Sequence, residues 1–77
     1  MTAEDLERAL RALARRRSFR PFLIEFHSGD RLLVSHPEAV QRYGELFLHR
    51  GTDRSQRVFA GPSVCQLIDP PTAAPPG

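Results

Sequence analysis

Pro21 divides the chain into two periodicities, and this division constrains the fold more than any other feature. Before it, Leu6, Leu10 and Leu13 recur at helical spacing, with Ala9 beside them, and make one narrow apolar stripe. After it, Phe22, Ile24 and Phe26 alternate with Leu23, Glu25 and His27, which is a strand with one strongly apolar face. Pro21 lacks an N–H and pushes Arg20 toward an extended shape, so the helical pattern cannot run through it. One helix followed by strands is the arrangement to expect, an α+β chain that is mainly β.

The helix is expected at about residues 3–17. Thr2 suits the N-cap, and Asp5 three residues on approximates the acidic half of a capping box. Glu4, Asp5 and Glu7 lie where the helix dipole favours negative charge, and Arg15, Arg16 and Arg17 where it favours positive charge. Glu4 with Arg8, and Glu7 with Arg11, have the favourable i, i+4 order. A helix this short is marginal alone, so its leucines must pack on something.

Ser28, Gly29 and Asp30 mark a turn, and Leu32 to Ser35 a second strand. A three-residue loop of His27, Ser28 and Gly29 sets the phenylalanine face beside Leu32 and Val34 and puts Gly29 where positive φ is needed. A two-residue loop would slip that apolar set to the other face. Pro37 to Tyr43 reads as a short helical turn or an irregular excursion, because Ser35 and Glu38 have capping-box spacing and Pro37 suits a first helical turn. Further strands are expected at 45–49, 57–60 and 64–68, giving five in all. The core should hold Leu6, Leu10, Leu13, Phe22, Ile24, Phe26, Leu32, Val34, Leu46, Leu48, Val58, Phe59, Leu67 and Ile68. Residues 1–69 form a single domain. Residues 70–77, with four prolines, form a stiff extended tail that cannot join a sheet.

With 77 residues, the chain buries only about 60% of its unfolded surface, so its core is marginal. Association with further copies through exposed edge strands is therefore expected. No apolar run exceeds three residues, which leaves no transmembrane helix and no membrane partner. The start has no basic region followed by an apolar one, so no secretory signal is read and a cytoplasmic location is expected. The single cysteine, Cys65, excludes an internal disulfide and a multi-cysteine zinc site.

Little chemistry is visible. His27, His36, His49 and Cys65 include no closely spaced pair that would nucleate a metal site. Cys65 reads as a small buried strand residue with no cation nearby to activate it. The serines sit at caps, turns and loops, where hydroxyls serve the backbone. The five glycines are scattered singly, so there is no phosphate loop. The absence of lysine removes Schiff-base chemistry. A chain this small has little room for a pocket of about 300 Å³. The expectation is a non-enzyme with no catalytic residues, no metal and no cofactor.

Charge supplies the one feature above background. All eleven basic residues are arginine, and residues 1–20 hold six of them against three acids. Arg15, Arg16, Arg17 and Arg20 lie within six residues, with Phe19 among them. Guanidinium groups grip phosphates and an aromatic face stacks a base, which is the equipment of sequence-tolerant RNA or single-stranded DNA binding. The alternative is a scaffold subunit whose partner is another protein, the same arginines meeting carboxylates or water. Arginine at a helix C-terminus also has a purely structural explanation in the helix dipole.

One helix followed by short strands in meander order, over about residues 4–69, resembles the Sm-like and SH3-like small β-barrels. That resemblance implies a five-stranded, strongly bent antiparallel barrel, and through the Sm-like branch an oligomeric nucleic-acid binder. The Asp and Asn motif through which that family holds uridine is not found, so no base site is carried over. The runs Pro21-Phe22-Leu23-Ile24, Ser28-Gly29-Asp30-Arg31 and Val34-Ser35-His36-Pro37-Glu38 also resemble a group of short uncharacterised bacterial proteins, which implies no activity.

Overall fold

The computed structural model describes residues 1–69. The tail expected at 70–77 lies outside the described residues. The elements in chain order are α1 (Ala3–Ala14), β1 (Phe22–Phe26), β2 (Arg31–Val34), β3 (Val40–Tyr43), β4 (Leu46–Arg50), β5 (Gln56–Ala60), a 3-10 turn (Gly61–Ser63) and β6 (Val64–Ile68).

Helix α1 starts as its sequence dictates. The Thr2 hydroxyl accepts a hydrogen bond from the Asp5 N–H at 3.0 Å, satisfying one orphan donor of the first turn. The helix ends at Ala14, three residues short of the expected 17, and the Arg15 N–H closes its last turn on the Arg11 carbonyl. Leu6 is fully buried, while Leu10 and Leu13 are only half covered.

The hairpin β1–β2 has the register that a three-residue loop demands. Phe22 faces Val34 and Ile24 faces Leu32. Phe26 donates its N–H to the Asp30 carbonyl, and Gly29 has φ +94°, a conformation that side chains disfavour. Strand β6 pairs antiparallel with the other side of β1, with a bulge opposite Glu25 and Phe26 that leaves Cys65 without a partner.

Two expectations fail at the level of architecture. The six strands form two open three-stranded sheets, β2–β1–β6 and β3–β4–β5, and not a closed five-stranded barrel. The Sm-like and SH3-like likeness rested on that closure and does not hold. The physical reason lies at the two junctions. Pro37, which has no N–H to give a ladder, sits in a turn closed by the Ala39 N–H on the His36 carbonyl, so β2 and β3 are separate strands. Pro62 lies in the 3-10 turn between β5 and β6, and those two strands do not pair. The helical turn expected at 37–43 is likewise replaced in its second half by β3.

A single core lies between the sheets and the start of α1. Phe22, Ile24, Phe26, Val34 and Val64 come from the first sheet, Phe47 and Phe59 from the second, and Ala3 and Leu6 from the helix. The Phe26 and Phe59 rings meet edge to face at 5.2 Å between centroids, and Phe59 stacks on Phe47 at 5.7 Å. Strand β4 has the opposite phase to the expected one. Phe47 and His49 point inward, and Leu46 and Leu48 outward.

The helix is held at both ends by ions. Arg42 of β3 donates to Glu4 at 2.9 Å and Glu7 at 3.0 Å. This charge-assisted bonding holds the Glu4 carboxyl below, and the Arg42 guanidinium above, their ordinary values. Arg16 donates to Asp69, just beyond β6, at 2.6 Å.

Candidate functional site

The arginine cluster does not present a single open cationic patch. Arg16 and Arg20 both converge on Asp69, at 2.6 and 3.4 Å. Arg15 and Arg17 are exposed, in the bend after α1. Phe19 is half-buried and packs edge-on against Phe22, with centroids 6.2 Å apart. Asp69, which organises two of the five residues, lies 49 positions after Arg20, and no local signal joins them.

Two other places rise above background. The first is the outer face of the second sheet. Its ladder sets Gln41, Leu48 and Val58 in one row, and Tyr43, Leu46 and Ala60 in the next. Tyr43 is 57% exposed, Leu46 48% and Val58 61%. The Tyr43 hydroxyl donates to the Gln41 side chain at 2.6 Å, so the ring lies along this face. The outer face of the first sheet is built differently. It has one apolar row, Leu33, Leu23 and Ile68, and one polar row in which Glu25 accepts from both Arg31 and Gln66. Those two bonds hold the Glu25 carboxyl below its ordinary range.

The second place is a cleft of about 430 Å³ lined by residues 26–28 of the hairpin, 57–59 of β5, and Pro62 and Ser63. It is larger than the sequence reading allowed for. The Arg57 guanidinium lies over the Phe26 ring, 4.1 Å from its centroid. A smaller groove of about 240 Å³ runs between α1 and the second sheet, with Leu10, Val40 and Phe47 in its walls. Its polar side chains Glu7, Arg11 and Arg42 pair with one another or with the acids of the helix.

Among the described residues, no three His, Cys, Asp or Glu side chains stand together as metal ligands. Cys65 is exposed at the β6 bulge, contrary to the buried position its strand pattern implied. His49 is the buried histidine, and its Nε2 lies 3.0 Å from the Leu33 carbonyl of the first sheet. No helix among the described residues is long and apolar enough to cross a membrane.

No family model, curated protein or solved structure matches the chain. With two open sheets in place of a barrel and no relative behind it, the expected oligomeric small barrel that binds RNA or single-stranded DNA is withdrawn, as is its scaffold alternative. The likeness to short bacterial proteins is also without a match.

Proposed function

We propose that the chain is a non-catalytic module that works by associating with a second copy of itself, through the outer face of β3–β4–β5. The observation that carries this reading is the run of Tyr43, Leu46, Leu48 and Val58 on a face where Arg50, at the end of the central strand, is the lone charged strand residue. Covering these exposed apolar side chains removes their surface from water, which favours association. A second copy is favoured over an unlike partner because the same apolar rows then meet: stacking two such sheets about a two-fold axis, with the β4 strands antiparallel, sets Leu46 and Leu48 of each copy against those of the other.

The face is small. Three strands at about 4.8 Å spacing and five residues at about 3.3 Å give an area on the order of 200 Å². A standard interface buries about 800 Å² per partner, so the association is expected to be weak and concentration-dependent. Sedimentation from micromolar to millimolar concentration should show a monomer passing to a dimer. Leu46→Glu and Val58→Glu should each keep the chain monomeric. A monomer throughout that range refutes self-association. A dimer that survives both charged variants refutes the face and moves the contact to the open sheet edges, where the sequence reading put it. A cytoplasmic location belongs to the same reading, and the exposed free thiol of Cys65 fits a reducing compartment.

A further inference from the structure

The cleft beside the β1–β2 hairpin contains a guanidinium held, among the described residues, only by an aromatic ring and one long ion pair. Arg57 lies on the core-facing side of β5, paired across the ladder with His49. Its side chain is 41% exposed, and its guanidinium carbon lies over the Phe26 ring, 4.1 Å from the centroid. Among the described residues it makes no hydrogen bond, and its one carboxylate neighbour, Asp30, stands off at 3.7 Å. Asp30 is itself occupied, since Ser28 donates its hydroxyl to that carboxylate at 3.2 Å. The other arginines of the fold's interior seams are engaged: Arg42 has three carboxylates and Arg16 has Asp69. Among the described residues Arg16 keeps one buried donor, Nη2, without a partner, but Arg57 differs from both in lining an open cleft with no hydrogen bond to a carboxylate.

Ser28 and Ser63 line the same cleft, with His27 beside them and Phe59 and Pro62 as apolar walls. Its volume of about 430 Å³ suits a small molecule, within the ~300–1,000 Å³ of ordinary ligand clefts. We propose that this cleft binds a small organic carboxylate, whose two oxygens meet the Arg57 fork while its apolar body lies against Phe59 and Pro62. The fork matches the two oxygens of a carboxylate in plane. A singly charged head is favoured over a doubly charged phosphate because Asp30 sits on the same side of Arg57 and repels the second charge.

The test is a titration of the isotope-labelled full chain with sodium benzoate, acetate and inorganic phosphate, followed by amide and Arg Nε–H resonances. Benzoate should give saturable shifts at Arg57, Ser28 and Ser63, at lower concentration than acetate because acetate lacks the apolar body. Asp30→Asn should tighten benzoate binding several-fold, and Arg57→Gln should abolish the saturable shifts. The same titration in Leu46→Glu keeps this result separate from self-association. The proposal is overturned if benzoate gives no saturable shift in the unmutated chain, or if Asp30→Asn leaves its affinity unchanged. Phosphate binding as tightly as benzoate overturns it too. Should Arg57→Gln fail to fold, the Asp30→Asn comparison decides alone.

Discussion

His49 carries the most informative chemistry of any single residue. It sits buried in β4 between Val40 and Arg57 of the neighbouring strands and links the second sheet to the first through the Leu33 carbonyl. Burial is the largest influence on it and pushes its pKa below the ordinary 6.5, as does Arg57, while the Leu33 carbonyl and Asp53 pull upward. In the unfolded chain the ring titrates near its ordinary value, about 6.5. Between that value and the lower folded one, the unfolded chain binds more protons, so stability rises with pH there. The contribution is complete above about pH 6.5 and is lost as pH falls toward the folded pKa. Urea denaturation from about pH 7.5 to about pH 5 should therefore show a falling midpoint. His49→Gln keeps a donor for Leu33 and cannot titrate, so its profile should be flatter. An equal slope in the variant would move the effect to other groups. Gly61 gives a second expectation at this scale. A Cβ there would lie 2.8 to 2.9 Å from backbone atoms of Met1, Thr2 and Ala3, none of which is a flexible side-chain end. Gly61→Ala should cost roughly 1–3 kcal/mol, the range for overpacked sites, and thermal unfolding measures it directly.

Among the elements, α1 and the first hairpin were the most legible. Their signals are local: a cap at Thr2, a stop before Pro21, alternation from Phe22 to Phe26, and Gly29 at the position of the hairpin turn that takes positive φ. Thr2→Ala removes the cap bond and should lower stability by about 1 kcal/mol, seen as a lower unfolding midpoint with unchanged strand signals. Strands β3 and β4 were misread for physical reasons. Ser35, Pro37 and Glu38 imitate a helix start, yet the turn they make ends after Ala39, and Val40 to Tyr43 pairs with β4. In β4, Leu46, Phe47 and Leu48 are all apolar, so alternation gives no phase. A face with two leucines competes with a face with one phenylalanine, and the structure buries Phe47 with His49 and leaves the leucines outside. That one-residue change of phase is why the exposed apolar face of the second sheet was missed. The arginine run was plainly visible, but Asp69 meets Arg16 and Arg20 only through tertiary structure. The Arg57 cleft was invisible for the same reason, since Phe26 and Arg57 are far apart in the chain.

For the whole molecule, cohesion between the sheets rests on side chains, because no strand of one sheet pairs with a strand of the other. Phe59 is central to that cohesion. It touches Phe26 of the first sheet edge to face and Phe47 of its own sheet by stacking. Such ring pairs contribute about 0.5–1.5 kcal/mol beyond the area they bury. A chain of this size has a total stability on the order of 5–10 kcal/mol. Phe59→Ala, at about 3–5 kcal/mol, would remove much of that. Phe59→Leu is the gentler probe, expected to cost about 1–2 kcal/mol while still folding. If the shared core makes one cooperative unit, amide protection in β1 and in β4 should fall by the same factor, about tenfold for each 1.4 kcal/mol lost. Protection lost in β3–β5 but retained in β1 and β6 would mean that the sheets open independently. Equal loss is expected, because the helix also spans the division. Arg42 holds α1 to the second sheet, Arg16 ties the chain beyond its last turn to the end of β6, and the terminal amine of Met1 donates to the Val64 carbonyl at 3.0 Å. Opening either sheet alone would break these ties as well as the Phe26–Phe59 contact, so partial opening gains little freedom for what it loses.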